Sequence, residues 1–232
     1  MISDACDKII TNPSKIDLIA VSKTQSSEVI KLAYECGQFE FGENYVQEST
    51  GKQINLKDLS IHWHFIGHLQ KNKVKSVVGT FKLIHSVNDF ELAQKISQKA
   101  AELKIEQSIL LEINLANEVS KSGFTKESID EIFIKIMDLP NLCLEGLMAI
   151  PPLSENAEDS RPYFKKLSQI FEKLKIQLPE SKKLQWKRLS MGTTQDFVVA
   201  IEEGANCVRV GTAIFGKRIN NENNALLQRT ET

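Results

Sequence analysis

Short apolar runs alternate with longer segments of helical period along most of this chain. The short runs are rich in β-branched residues and predict strands, whereas the longer segments carry apolar residues at helical spacing and predict helices. Several of these helices open on Ser, Thr or Asp and close on Gly or Pro. Eight strands are predicted, at 15–23, 39–44, 62–67, 82–87, 108–114, 143–150, 187–192 and 207–216.

Strand and helix alternation repeated eight times over 232 residues predicts a (β/α)8 barrel, for which about 250 residues is typical. A doubly wound open sheet is the alternative, but its six-stranded version would leave two predicted strands unused. No linker-like stretch divides the chain before its end. We therefore expect one barrel domain over residues 1–219, a flexible tail at 220–232 and no second domain.

Composition narrows the possible partners. The chain has 29 basic and 30 acidic side chains, whereas a dedicated nucleic-acid binder normally carries a basic excess. Its apolar runs are far shorter than the ~20 residues that cross a bilayer, and its acidic start does not resemble a secretory signal. The four cysteines are scattered, without a C-x-x-C pair. We expect a cytoplasmic monomer with reduced thiols that binds a small molecule, with no nucleic-acid or membrane partner.

Candidate chemistry lies where barrels place it, at the carboxyl ends of the strands. Lys23 ends the first predicted strand. A solvated lysine is the ordinary interpretation of such a position, because lysine is among the most exposed residue types. The functional interpretation is a lysine whose amine forms a Schiff base. The loops after strands 7 and 8 decide between the two.

Both of these loops contain glycine and hydroxyl residues, which suit a phosphate group. The residues concerned are Ser190, Gly192, Thr193 and Thr194 after strand 7, and Gly211 and Thr212 after strand 8. Either loop alone could be ordinary helix capping, but the two together match the phosphate position of many barrels. Arg209 lies two residues before Gly211 on the same strand face and could donate to a ring nitrogen. A lysine, a phosphate cup and an arginine together describe a pyridoxal 5′-phosphate site.

An ordered set of motifs carries a family resemblance over nearly the whole chain. The motifs are AVSKT, FGENYVQE, HWHFIGHLQKNK, HSV, EINLANEVSKSGF, GLMAIPP and LSMGTTQDFVVAIEEGANCVRVGTAIFG. The sequence closely resembles the pyridoxal phosphate homeostasis protein family, single-domain relatives of the alanine racemase N-terminal barrel. The resemblance implies that Lys23 carries the cofactor as a Schiff base and that Arg209 faces the pyridine nitrogen. It implies phosphate contacts from Ser190, Gly192, Gly211 and Thr212, with Asn44 nearby.

Three features depart from the family pattern. The segment before strand 1 is short, which weakens any statement about the amino-terminal cap of the barrel. His68 stands where the family more often has proline or a small residue, and Thr193 and Thr194 replace the commoner Met-Ser. These threonines keep hydroxyls and backbone donors in place, so the phosphate interpretation stands.

The resemblance implies a protein that binds, stores or delivers pyridoxal phosphate, with apo-enzymes as recipients and without robust turnover. Arg209 can donate a hydrogen bond to the ring nitrogen but cannot protonate it. A low-activity amino-acid racemase is the alternative. It would need acid–base groups on both faces of the substrate Cα, and the tyrosines at 34, 45 and 163 all fall in predicted helices. A weaker alternative is a barrel enzyme that forms Schiff bases with sugar phosphates.

Two further hypotheses concern residues outside this set. Lys121, after strand 5, could be a second amine that holds cofactor in transit, although an ordinary exposed lysine is the simpler interpretation. His62 and His64 share a strand face, but further His and Asp ligands on later strands are not evident. We therefore expect packed or hydrogen-bonded histidines and no metal.

Overall fold

Eight parallel strands form a closed barrel in chain order, with β8 paired to β1. The computed structural model describes residues 1–9, 11–116 and 122–216. The strands are β1 Asp17–Val21, β2 Glu40–Glu43, β3 His62–Phe65, β4 Leu83–Val87, β5 Gln107–Glu112, β6 Leu142–Met148, β7 Arg188–Thr193 and β8 Cys207–Val210. The predicted (β/α)8 barrel is confirmed.

Helices connect the strands and surround the barrel. They are α1 Ile2–Lys8, α2 Ser27–Glu35, α3 Val46–Asn55, α4 Phe90–Leu103, α5 Lys126–Met137, α6 Arg161–Gln177, α7 Glu180–Lys183, α8 Phe197–Glu202 and α9 Thr212–Phe215. Polar side chains cap several of them, since Ser26, Asp89 and Thr125 accept from backbone amides at the starts of α2, α4 and α5. Between β3 and β4 the connection is a 3-10 helix, Lys71–Ser76. No helix in the described part of the chain is long and apolar enough to span a membrane.

Three predictions that concern the region of the site are wrong. Strand 8 was expected to reach residue 216 but ends at Val210, because the chain turns at Gly211 and then forms the single helical turn α9. Strand 1 was expected to include Lys23 but ends at Val21, and Thr24 has a φ of 66°, in the left-handed region. Tyr45 was expected within a helix; it precedes α3 and is 57% exposed.

The hydrophobic core lies mainly between the barrel and the helices. Helix α6 shows the pattern, because it buries Phe164, Leu167, Phe171 and Leu174 on one face. Inside the barrel, Leu83, Leu110 and Met148 form a small separate apolar cluster. Buried polar side chains stand beside that cluster, although barrel interiors are usually filled by branched aliphatic residues. These polar residues include His64, His85, Ser190 and Arg209.

Candidate functional site

Barrel closure brings the predicted site residues onto four neighbouring strands. The strands run β7, β8, β1 and β2 around the barrel, and all point the same way. The seven residues concerned are Lys23, Asn44, Ser190, Gly192, Arg209, Gly211 and Thr212. Residues far apart in sequence therefore lie on or just after neighbouring strands on one side of the barrel, and Lys23, Gly211 and Thr212 share one pocket there.

Lys23 lies in one pocket with Gly211 and Thr212. The side chain is half-buried, and Val21 and Gln25 complete that side of the pocket. A Cβ on Gly211 would find its nearest neighbours in Val21 at 3.5 Å, an ordinary van der Waals distance. The packing around Gly211 thus does not itself demand a glycine. The bare backbone leaves room for a ligand to approach closely.

A buried ion pair holds the strand end before Lys23. Lys52 Nζ, on α3, donates to the Ser22 carbonyl oxygen at 2.7 Å and to Glu43 Oε1 at 2.8 Å. Ser22 Oγ donates to the same Glu43 oxygen at 2.6 Å. Burial raises the pKa of the Glu43 carboxyl, and the Lys52 ammonium and Ser22 hydroxyl oppose that rise. The residue preceding Lys23 is therefore fixed through both its carbonyl and its side chain.

Thr24, the residue after Lys23, is also connected to Lys52, through Glu48. Thr24 N donates to Glu48 Oε1 at 2.5 Å, and Lys52 Nζ donates to that same oxygen at 2.5 Å. This contact satisfies the amide of a residue in the left-handed region, which is costly for a β-branched side chain. Sequence reasoning missed Lys52. The available signal was the pair of glutamates inside FGENYVQE and a lysine four residues after the second one.

Asn44 directly follows β2, the strand that pairs with β1. Its Oδ1 is buried without a hydrogen-bond partner among the described residues. Gly67 packs onto its backbone, since a Cβ there would stand 2.1 Å from the Asn44 carbonyl oxygen. Asn44 also lines an open pocket of about 570 Å³ with Tyr45 and His68. An unsatisfied buried amide oxygen at this position fits a site that awaits a hydrogen-bond donor.

Strand β7 packs closely against α8 at Gly192, just before the loop that follows the strand. This glycine has a φ of 89°, and a Cβ on it would stand 2.5 Å from Ala200 Cβ in α8. Thr193 donates through both its amide and its hydroxyl to Asp196 Oδ1. Thr194 Oγ1 accepts the Gly211 N–H at 3.2 Å, which ties this loop to the Lys23 pocket. Packing against α8 thus requires a glycine at 192, and the phosphate contact predicted for it stays a prediction.

Ser190 and Arg209 lie in the barrel interior, below the Lys23 pocket. Arg209 Nη1 donates to Ser190 Oγ at 2.6 Å and Nη2 donates to the Ala149 carbonyl oxygen at 3.0 Å. Ser190 Oγ also contacts His85 Nδ1 at 2.9 Å. Burial lowers the pKa of the Arg209 guanidinium from a very high ordinary value. The Ser190 hydroxyl is therefore engaged inside the barrel, and the phosphate role predicted for it stays a prediction.

The remaining candidates are the histidines of strand 3, a metal site, Lys121 and the tail. His62 Nδ1 and His64 Nε2 contact the two oxygens of Glu40 at 2.7 and 2.5 Å. The described residues contain no group of three His, Cys, Asp or Glu side chains arranged to hold a metal. Lys121 and the predicted tail at 220–232 lie outside the described residues.

Known proteins are similar to this chain in fold and in sequence. The family model for the alanine racemase N-terminal domain matches residues 7–219. A pyridoxal phosphate homeostasis protein of Aquifex aeolicus is 44% identical over 221 residues, which cover 94% of this chain and 93% of the relative. PipY of Synechococcus elongatus, solved without and with PLP, is 34% and 33% identical with TM-scores of 0.83 and 0.81. Both comparisons cover 93% of this chain and 100% of PipY.

An alanine racemase of Clostridium difficile shares the fold alone, at 20% identity and a TM-score of 0.65, over 95% of this chain and 58% of the racemase. The extent of the match to the Aquifex protein and of the family model decides the assignment. The chain therefore belongs to the family of pyridoxal phosphate homeostasis proteins, which is built on the alanine racemase N-terminal domain.

Proposed function

We propose that this protein binds pyridoxal 5′-phosphate at the carboxyl end of its barrel, holds it through Lys23, and stores it or delivers it to other proteins. The observation that carries the proposal is the shared pocket of Lys23, Gly211 and Thr212. The names of its relatives and the PLP bound to PipY support it. The unsatisfied Asn44 oxygen is consistent with a polar ligand at this end of the barrel.

Each residue has a specific task in this proposal. The Lys23 amine bonds to the aldehyde carbon of the cofactor with loss of one water, and hydrolysis reverses that bond. Thr212 and the backbone beside Gly211 donate to the phosphate, and Thr194 adds a hydroxyl from the loop after β7. Arg209 offers guanidinium N–H groups to the ring nitrogen without giving up its proton. A reversible bond in a pocket that water reaches suits a carrier, which must release its ligand.

An absorbance titration tests cofactor binding. Purified protein incubated with pyridoxal phosphate should develop a band near the edge of the visible range, and Lys23→Ala should abolish it. Gly211→Ala should fold normally but bind the cofactor at least tenfold more weakly, since its new methyl group takes the space of the phosphate. The matched control is Gly51→Ala, on α3, where a Cβ meets nothing within 4 Å. Wild-type protein that stays colourless refutes the proposal.

Delivery needs its own measurement. Protein loaded with cofactor and freed of excess should restore activity to an apo-enzyme that requires pyridoxal phosphate, faster than an equal amount of free cofactor in the presence of a trap for free aldehyde. Loaded protein that performs no better than free cofactor removes the delivery role and leaves binding and storage.

Racemase activity is the second candidate, and the position of Tyr45 favours examining it. Tyr34 and Tyr163 pack against the core, whereas Tyr45 is exposed at the pocket next to Asn44. A racemase needs a proton donor facing the lysine across the substrate Cα. Racemisation of an L-amino acid that Tyr45→Phe and Lys23→Ala each abolish would assign this activity.

We also propose a cytoplasmic location. Cys6, Cys36, Cys143 and Cys207 are all free thiols. Burial raises the pKa of Cys207 to about 11, so this thiol is protonated and unreactive at neutral pH. Four unpaired cysteines are typical of a reducing compartment.

A further inference from the structure

A continuous hydrogen-bonded chain crosses the barrel interior from Arg209 to Glu40. Arg209 Nη1 bonds to Ser190 Oγ at 2.6 Å, and Ser190 Oγ bonds to His85 Nδ1 at 2.9 Å. His85 Nε2 bonds to His64 Nδ1 at 2.9 Å, and His64 Nε2 bonds to Glu40 Oε2 at 2.5 Å. The chain thus links five strands, from β8 through β7, β4 and β3 to β2. It ends on a carboxylate at the amino end of the barrel, 23% exposed.

Burial favours the neutral form of both histidines in the chain. Burial lowers the pKa of His64, and the Glu40 carboxylate opposes this only in part. Burial lowers the pKa of His85 still further, helped by nearby positive charge. Burial alone would raise the pKa of the Glu40 carboxyl. Hydrogen bonds from His64 and Lys82 outweigh burial, so the pKa of this carboxyl is lowered. The charged groups facing the two histidines are Glu40, Lys82, Arg188 and Arg209.

Neutral histidines beside a carboxylate permit one direction of donation along the chain. Glu40 can only accept, so His64 must carry its proton on Nε2, and its Nδ1 must accept from His85. His85 then carries its proton on Nε2, and its Nδ1 must accept from the Ser190 hydroxyl. Ser190 accepts from Arg209, which can only donate. Every donor therefore points from Arg209 towards Glu40.

We propose that Glu40, His64 and His85 are positioning residues. They keep the Ser190 hydroxyl donating to His85 and thereby orient the Arg209 guanidinium. This inference rests on the proposed function, in which Arg209 faces the ring nitrogen of the cofactor. It deepens that function, because Glu40, at the amino end of the barrel, would then influence the contact between Arg209 and the ring nitrogen. It also assigns the Ser190 hydroxyl hydrogen to His85 and not to the phosphate.

Glu40→Gln tests the direction of the chain with almost no change in volume. An amide can donate as well as accept, so the reverse direction becomes available, with His64 and His85 protonated on Nδ1 and Ser190 as a double acceptor. His62→Asn is the matched control, since His62 contacts the other oxygen of Glu40 and lies outside the chain. Both variants act on the same carboxylate, but only the first removes its charge.

The first measurement needs no cofactor. Long-range proton–nitrogen correlation spectra distinguish protonated from unprotonated ring nitrogens. We expect His64 and His85 to be protonated on Nε2 in the wild type and in His62→Asn, and to populate both tautomers in Glu40→Gln. A wild-type protein with either histidine protonated on Nδ1 overturns the inference.

The second measurement uses pyridoxal phosphate itself. We expect Glu40→Gln to raise the dissociation constant about tenfold, the order expected for weakening a hydrogen bond to a charged group, and to change the pH profile of the bound cofactor's visible band. His62→Asn should change neither. If Glu40→Gln and wild type bind equally with the same band profile, the inference fails while the proposed function stands. If the wild type binds no cofactor, the proposed function fails instead, and the histidine spectra, which need no cofactor, still decide the direction of the hydrogen-bonded chain.

Discussion

Lys52→Met would measure how much the buried ion pair of Lys52 and Glu43 contributes to the stability of the barrel. The Lys52 side chain is 7% exposed and its partner Glu43 is fully buried. The methionine fills a similar volume but leaves the Glu43 carboxylate without its cation. Removing one partner of a buried pair typically costs about 3 to 5 kcal/mol, because a buried charge remains uncompensated. We expect about 3 kcal/mol at pH 8, since protonation of Glu43 limits the loss.

The pH dependence separates this mechanism from a simple loss of packing. The pKa of Glu43 is already raised by burial, and without Lys52 it rises further. Wherever the folded state keeps a proton that the unfolded state has released, stability falls as pH rises. That loss starts above the ordinary glutamate pKa of 4.5 and continues up to the folded pKa, which is higher in the variant. The deficit of Lys52→Met should therefore be smaller near pH 5.5 than near pH 8.

Urea unfolding followed by circular dichroism measures these differences. Lys173→Met is the matched control, because Lys173 and Asp130 form a surface ion pair with side chains 54% and 40% exposed. It should cost about 0.5 kcal/mol or less. Adding Glu43→Gln to Lys52→Met should recover part of the loss, since no charge is then buried. A Lys52→Met deficit that matches the control, or one that is equal at both pH values, refutes the reasoning.

Three further outcomes follow from other parts of the fold. Below pH 6.5 the free energy of unfolding should fall as the pH falls, because the unfolded state binds protons on His64 and His85 that the folded state excludes. The slope should reach up to about 1.4 kcal/mol per pH unit for each histidine. Urea unfolding at several pH values measures it. Gly192→Ala should cost about 3 kcal/mol through its clash with Ala200, against about 1 kcal/mol for Gly37→Ala, which has only an unfavourable φ. Thr24→Gly should preserve stability but loosen Lys23, seen as weaker cofactor binding at unchanged thermal stability.

Much of the fold could be predicted from the sequence because each strand has a local signal. Apolar runs ended by polar or glycine residues fixed the order and number of the strands. The end of strand 8 could not be predicted in this way, because VRVGTAIFG is mostly apolar along its whole length, although its first part belongs to β8 and its second part forms α9. The chain changes direction at Gly211, at the mouth of the barrel, and the short helical turn α9 begins there. This change of direction depends on the closed barrel and has no local signal in the sequence.

The site shows a similar division. Lys23, Gly211 and Thr212 could be found because they lie in the carboxyl-terminal parts of predicted strands, and these strand ends meet in a barrel. Side chains that point into the barrel gave no such signal: Ser190 and Arg209 look like mouth residues in the sequence. Their side chains nevertheless meet at 2.6 Å in a buried contact. Periodicity indicates which face of a strand is inside, but not which polar groups meet across the interior.

Polar residues in the barrel interior have a physical reason to be retained. A buried arginine is costly unless its donors are satisfied, and Arg209 has the Ala149 carbonyl and the Ser190 hydroxyl within the described residues. The hydroxyl in turn needs an acceptor, and His85 supplies it. Each buried group creates the need for the next, until Glu40 reaches solvent. An aliphatic barrel interior would be easier to build, so placing an arginine beneath the Lys23 pocket requires the whole chain of acceptors behind it.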